Sequence, residues 1–183
     1  ALNLRESRLV QLPPSNNDTG GGVASGGGTL VYNNTVQEDP SVSFALIAFS
    51  LLGDDLTLAA SPTARELAHY SVQTVASAEI SYDVVTELWT DDGGEPGAII
   101  PGTSCTFENV LGGSPQTLDC KPGLGVTLPE QLWILISTTP ELTVAWALAG
   151  VAELGATNDS FFDEIGLFTV PDAGHNGFWA AVF

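Results

Sequence analysis

Apolar and polar residues alternate with the period of a strand rather than a helix through much of this 183-residue chain. The clearest stretch is 79–90 (EISYDVVTELWT), where Ile80, Tyr82, Val84 and Leu88 share one face and Ser81, Asp83 and Glu87 the other. Residues 42–52 (VSFALIAFSLL) are apolar on both faces and read as one central strand. A buried helix is the alternative that periodicity leaves open there. Further strands are predicted at 29–32, 56–59, 69–75, 106–110, 126–128, 132–137, 143–148, 164–170 and 177–183. Turn signals punctuate them at short intervals: Gly53-Asp54-Asp55, Asp91-Asp92-Gly93-Gly94, Gly112-Gly113-Ser114-Pro115, Lys121-Pro122-Gly123 and Pro171-Asp172-Ala173-Gly174. Only 61–68 (SPTARELA), a serine cap followed by proline, invites a helix. The pattern predicts an all-β fold, a jelly-roll-like antiparallel β-sandwich.

A different kind of segment precedes these strands. Residues 1–14 combine Leu2, Leu4, Leu9, Val10 and Leu12 with Arg5 and Arg8, two of the four basic residues in the chain. With Glu6 their side chains sum to +1, while the rest of the chain sums to −19. Between arm and body, 15–28 (SNNDTGGGVASGGG) holds six glycines and little that can pack. The organisation is therefore an N-terminal arm (1–14), a Gly-rich tether (15–28) and a sandwich domain (29–183). The arm reads as two short strand pieces or one bulged strand, ended by Pro13-Pro14. Such an arm can add a strand to an open sheet edge, with Leu2, Leu4, Leu9, Val10 and Leu12 filling a groove and Arg5 and Arg8 pairing with carboxylates. The acceptor is a neighbouring copy, giving an open polymer when the rotation does not close, or the parent body itself. A disordered end is the third reading.

Composition narrows the partners. A net charge of −18 argues against nucleic acid and against an anionic membrane surface. The longest apolar run, 44–52, falls far short of the roughly 20 residues a spanning helix needs. The chain contains no methionine, which predicts the loss of a leader and a secreted, extracellular or cell-surface location. In that setting Cys105 and Cys120 read as a disulfide, with two buried thiols as the alternative.

Residues 86–102 (TELWTDDGGEPGAIIPG) resemble a signature of secreted choice-of-anchor β-sandwich domains, often found with PEP-CTERM sorting tails. Gly53-Asp54-Asp55-Leu56-Thr57-Leu58, Val126-Thr127-Leu128-Pro129 with Trp133, and Phe161-Phe162-Asp163-Glu164 resemble further parts of the pattern in the same order. The likeness covers roughly residues 50–183. It implies an exported, cell-surface or matrix domain with no established catalytic residues. The sequence is expected to depart from the pattern in lacking a C-terminal sorting tail.

Several constellations suggest chemistry. Asp91, Asp92 and Glu95 form one carboxylate group, and Asp159 and Asp163 belong to another; calcium is the candidate ion, with solvated turns as the plain alternative. No other cofactor is implied. Sequons place candidate glycans on Asn17, Asn33 and Asn158, all expected in or beside loops. No nucleophile elbow, zincin motif or phosphate-binding loop occurs, and His69 and His175 read as strand or loop residues, so the chain reads as non-enzymatic. Trp133 and Trp146 read as core, and Trp89, on the polar face of its strand, as an exposed ring suited to sugar stacking. The function expected is a structural subunit of an extracellular filament or surface layer, a homopolymer joined by its N-terminal arm. The alternative is a secreted carbohydrate-binding module with glycans as partners.

Overall fold

The computed structural model describes residues 8–11, 29–34, 42–46, 51–61, 63–76, 80–123, 125–139, 144–149, 154–157, 160–163, 166–169, 177–178 and 180–183. Among them every regular element is a strand. In chain order these are β1 (Arg8–Gln11), β2 (Tyr32–Asn34), β3 (Val42–Leu46), β4 (Leu51–Thr57), β5 (Arg65–Glu66) and β6 (Tyr70–Ala76). Next come β7 (Ser81–Asp91), β8 (Pro96–Ile99), β9 (Cys105–Leu111), β10 (Gln116–Cys120), β11 (Thr127–Leu128) and β12 (Gln131–Thr139). The chain closes with β13 (Val144–Ala149), β14 (Ser160–Asp163), β15 (Gly166–Thr169), β16 (Gly177–Phe178) and β17 (Ala180–Val182).

Two antiparallel sheets face each other. One follows the path β1-β3-β13-β6-β17-β2, with β10 on β6 and β16 on β13. The other runs β15-β14-β4-β12-β7-β8, with β9 also on β7. From β3 to β13, the chain crosses repeatedly between the two, the behaviour of a jelly roll. A short ribbon pairs β5 with β11.

Alternation decides which residues fill the space between the sheets. Along β7 the even residues Tyr82, Val84, Thr86 and Leu88 are buried, as the sequence pattern requires. Their row continues onto Leu132, Ile134 and Ile136 of β12 and Leu52 and Leu56 of β4. Tyr70, Val72, Leu118 and Val182 meet them from the opposite sheet. Two reciprocal bonds cross the gap: Tyr70 Oη lies 2.9 Å from Thr86 Oγ1, and Tyr82 Oη 3.2 Å from Thr74 Oγ1. Tyr70 also donates to the Thr103 carbonyl at 2.7 Å. Burial pushes both phenol pKa values up, because the charged form would lose its hydration. A covalent link joins the same layers, since Cys105 of β9 is bonded to Cys120 of β10.

Three sequence expectations are corrected. The run 42–52 is not one strand; it contains β3 and the start of β4, which belong to different sheets, and this accounts for its apolar character on both faces. Gly53-Asp54-Asp55 is not a turn but the middle of β4, with Asp54 fully buried. A Cβ on Gly53 would sit 3.0 Å from Leu135 Cγ, so glycine serves close packing there rather than chain reversal. The region 61–68 contains no helix among its described residues; Arg65 and Glu66 pair with β11, and the Arg65 guanidinium donates to the Ala59 carbonyl at 3.0 and 3.2 Å. Tertiary pairing overrides the local cap signal.

Candidate functional site

The arm meets the sandwich at β1. Main-chain register pairs Arg8 with Ala45, Leu9 with Phe44, Val10 with Ser43 and Gln11 with Val42. In this single chain Arg8–Gln11 therefore pair with the chain's own β3. The ladder continues from Phe44 to Trp146 of β13 and then to Thr74 of β6, so Leu9 shares a row with the residue that bonds across to Tyr82. β1 ends the strand path and pairs only with β3 among the described residues. Of the remaining arm residues, Leu2, Leu4, Arg5 and Leu12 lie outside the described residues, as does the tether 15–28.

A second candidate lies on the outward face of the other sheet. Register aligns Ile99, Trp89, Trp133 and Asp55 across β8, β7, β12 and β4. Trp89 is half-buried, its indole N–H donating to Glu87 Oε2 at 3.1 Å, and Ser104 holds the other Glu87 oxygen at 3.2 Å. Trp133 is fully buried, as expected, yet it belongs to this outer row and not to the cluster between the sheets. Its N–H donates to Asp91 Oδ1 at 2.9 Å, and its ring meets Phe162 edge-on at 6.4 Å. Beside it opens a cavity of about 300 Å³ lined by Asp55, Thr57, Asp91, Gln131 and Trp133. Sequence reasoning missed this pocket, because a buried tryptophan in an apolar strand gives no hint of which layer it serves.

Of the candidate calcium ligands, the side chains of Asp91, Asp92 and Glu95 are described. Asp91 accepts from Trp133 and from the Gly94 amide, which spends its oxygens on holding the β7–β8 hairpin. Asp92 and Glu95 are exposed on that hairpin, linked through main chain by a 2.8 Å bond. Asp159 lies outside the described residues, and Asp163 is placed by its backbone alone, opposite Gly166 and Leu52. Among the described residues no three potential ligands group together.

The sequons fare unequally. Asn33 is not on a loop: it is 7% exposed within β2, between Ala181 and the bridge to Leu154, where a glycan has no room. Asn17 and Asn158 lie outside the described residues.

One grouping of serine, histidine and aspartate does form. Ser71 donates to Asp119 Oδ1 at 3.0 Å, His69 Nε2 stands 3.9 Å from the same oxygen, and Lys121 approaches Oδ2 at 3.3 Å. The order is wrong for nucleophilic catalysis, which needs the hydroxyl to give its proton to the imidazole. Here the hydroxyl faces the carboxylate, and His69 is buried with its ring stacked on Phe183. His175 lies outside the described residues.

No known protein-family model matches the chain, and no curated protein matches it either. The likeness to choice-of-anchor domains therefore rests on the quoted motifs alone. Within them, 86–102 runs through the end of β7, its hairpin and β8.

Proposed function

We propose that this chain is a structural subunit of an extracellular filament or surface layer, joined to other copies by exchange of β1. The observation that supports this reading is the position of β1. It is a four-residue strand at the end of the strand path, paired with one strand among the described residues and joined to the body through a Gly-rich sequence. An element with so few attachments can leave its own β3 and pair in the same register with the β3 of another copy, which is strand exchange. Head-to-tail repetition of that step builds a homopolymer. The disulfide supports an oxidising, extracellular setting, and among the described residues no helix is long and apolar enough to cross a membrane. No cofactor enters this reading.

Deleting residues 1–14 tests it. Polymers visible by negative-stain microscopy for the full chain are expected to vanish, leaving a monomer by sedimentation. Unchanged polymers without the arm would overturn the proposal.

A second reading, a glycan-binding module, is favoured by the half-buried Trp89 on the face that also holds the pocket beside Trp133. Saturable binding on a glycan array, reduced at least tenfold by Trp89→Ala, is its expected signature. A blank array would remove it.

A further inference from the structure

We propose that the docked arm is a latch, so that the self-paired chain is the assembly-inactive form and polymerisation has a concentration threshold set by the tether. This regulation rests on the arm-exchange reading above. β3 has β13 on one side and β1 on the other, so a β3 that holds its own arm offers no edge to a neighbour's. Self-pairing and donation are mutually exclusive at every subunit.

The pairing itself does not decide between them. The same four residues meet the same register in either arrangement, and the main-chain bonds made are equal in number. The difference is one of concentration. Twenty residues lie between Gln11 and Tyr32. Twenty residues reach at most about 70 Å when extended. The strand path separates β1 from β2 by at most five spacings, about 24 Å at the usual strand separation. A linker long enough to bridge the distance keeps its arm near its own acceptor at an effective concentration on the order of millimolar. A dilute chain therefore keeps its own arm. Exchange prevails only when chains are crowded to a comparable level or when subunit contacts beyond the arm add to the pairing. A free β3 at the growing end, with no arm of its own to displace, then accepts a released β1 most readily.

Cysteines at a facing pair of the ladder test this. Chains carrying both Val10→Cys and Ser43→Cys are oxidised while dilute and then concentrated. The expected results are an intramolecular cross-link in the dilute monomer, native far-UV circular dichroism, and no polymer at ten times the threshold of the unmodified chain. Each single variant should polymerise with an unaltered threshold, and a polymer of the two singles mixed should cross-link between chains. A dilute double variant that fails to cross-link, or cross-linked chains that polymerise like the unmodified chain, would overturn the latch. If the dilute double variant fails to cross-link while the mixed singles do cross-link between chains in the polymer, only the latch falls. If locked chains polymerise, or if the mixed singles never cross-link between chains, the arm-exchange reading falls as well.

Discussion

Gly155 shows how much one missing side chain matters in this molecule. Leu154 pairs with Asn33 of β2, and Ala156 pairs with Thr57 of β4, so three consecutive residues link β2, at the end of its sheet's strand path, to β4 of the other sheet. Gly155 sits between them at φ +81°, and a Cβ there would lie 2.5 Å from the Thr57 carbonyl oxygen and 2.8 Å from the Tyr32 ring. Both the backbone conformation and the space demand glycine. Gly155→Ala should cost about 3 kcal/mol or more in a urea titration, a clash and φ strain together. Gly94→Ala, at φ +94° with nothing within 4 Å, isolates the conformational part and should cost about 1 kcal/mol. Equal losses at both sites would show that the link at Leu154–Ala156 yields easily.

Strand pairs explain why some of this fold was legible in the sequence and some was not. β7 was readable because one face meets the core and the other meets water, which writes a period of two directly into the residues. β4 was misread because its Gly-Asp-Asp, normally a sign of chain reversal, is buried under Leu135 and Phe161 from adjacent strands. β8, β10 and β14 were missed: each is four or five residues long, too short for alternation to register. The acceptor of the arm was also hidden, since β3 forms only half of a largely apolar run. At this scale β6 and β7 are riveted by Tyr70–Thr86 and Thr74–Tyr82. Because burial raises both phenol pKa values above the ordinary 10, the unfolded chain ionises first as pH rises. The unfolded state then binds fewer protons than the native one, and stability must decline. From these two groups, unfolding free energy should be flat below about pH 9 and fall steadily above pH 10. Chains with Tyr70→Phe and Tyr82→Phe should start about 1–2 kcal/mol lower at pH 8 and lose less thereafter. An unchanged alkaline slope in that double variant would remove the two tyrosines as its cause.

Over the whole molecule the dominant quantity is charge. Residues 15–183 carry −19, and the arm carries +1. Attraction between arm and body weakens with salt, but it exists in both the self-paired and the exchanged arrangement and nearly cancels between them. What exchange adds is the approach of two strongly acidic bodies, whose repulsion extends about 30 Å at 0.01 M salt and under 10 Å above 0.1 M. The polymerisation threshold should therefore fall as sodium chloride rises from about 0.01 to 0.5 M, measured by light scattering at fixed pH. A threshold that rises instead would indicate ion pairs formed only between copies. The disulfide bears on a different property of such a polymer. It sutures β9 to β10 on the flank of β6, while β1 is secured to β3 by main-chain pairing at the end of the strand path. Tension applied through the N-terminus reaches the four-residue joint before it loads the stitched flank. A stretched thread of these subunits would thus part at its junctions and leave each sandwich whole, ready to rejoin when slack returns.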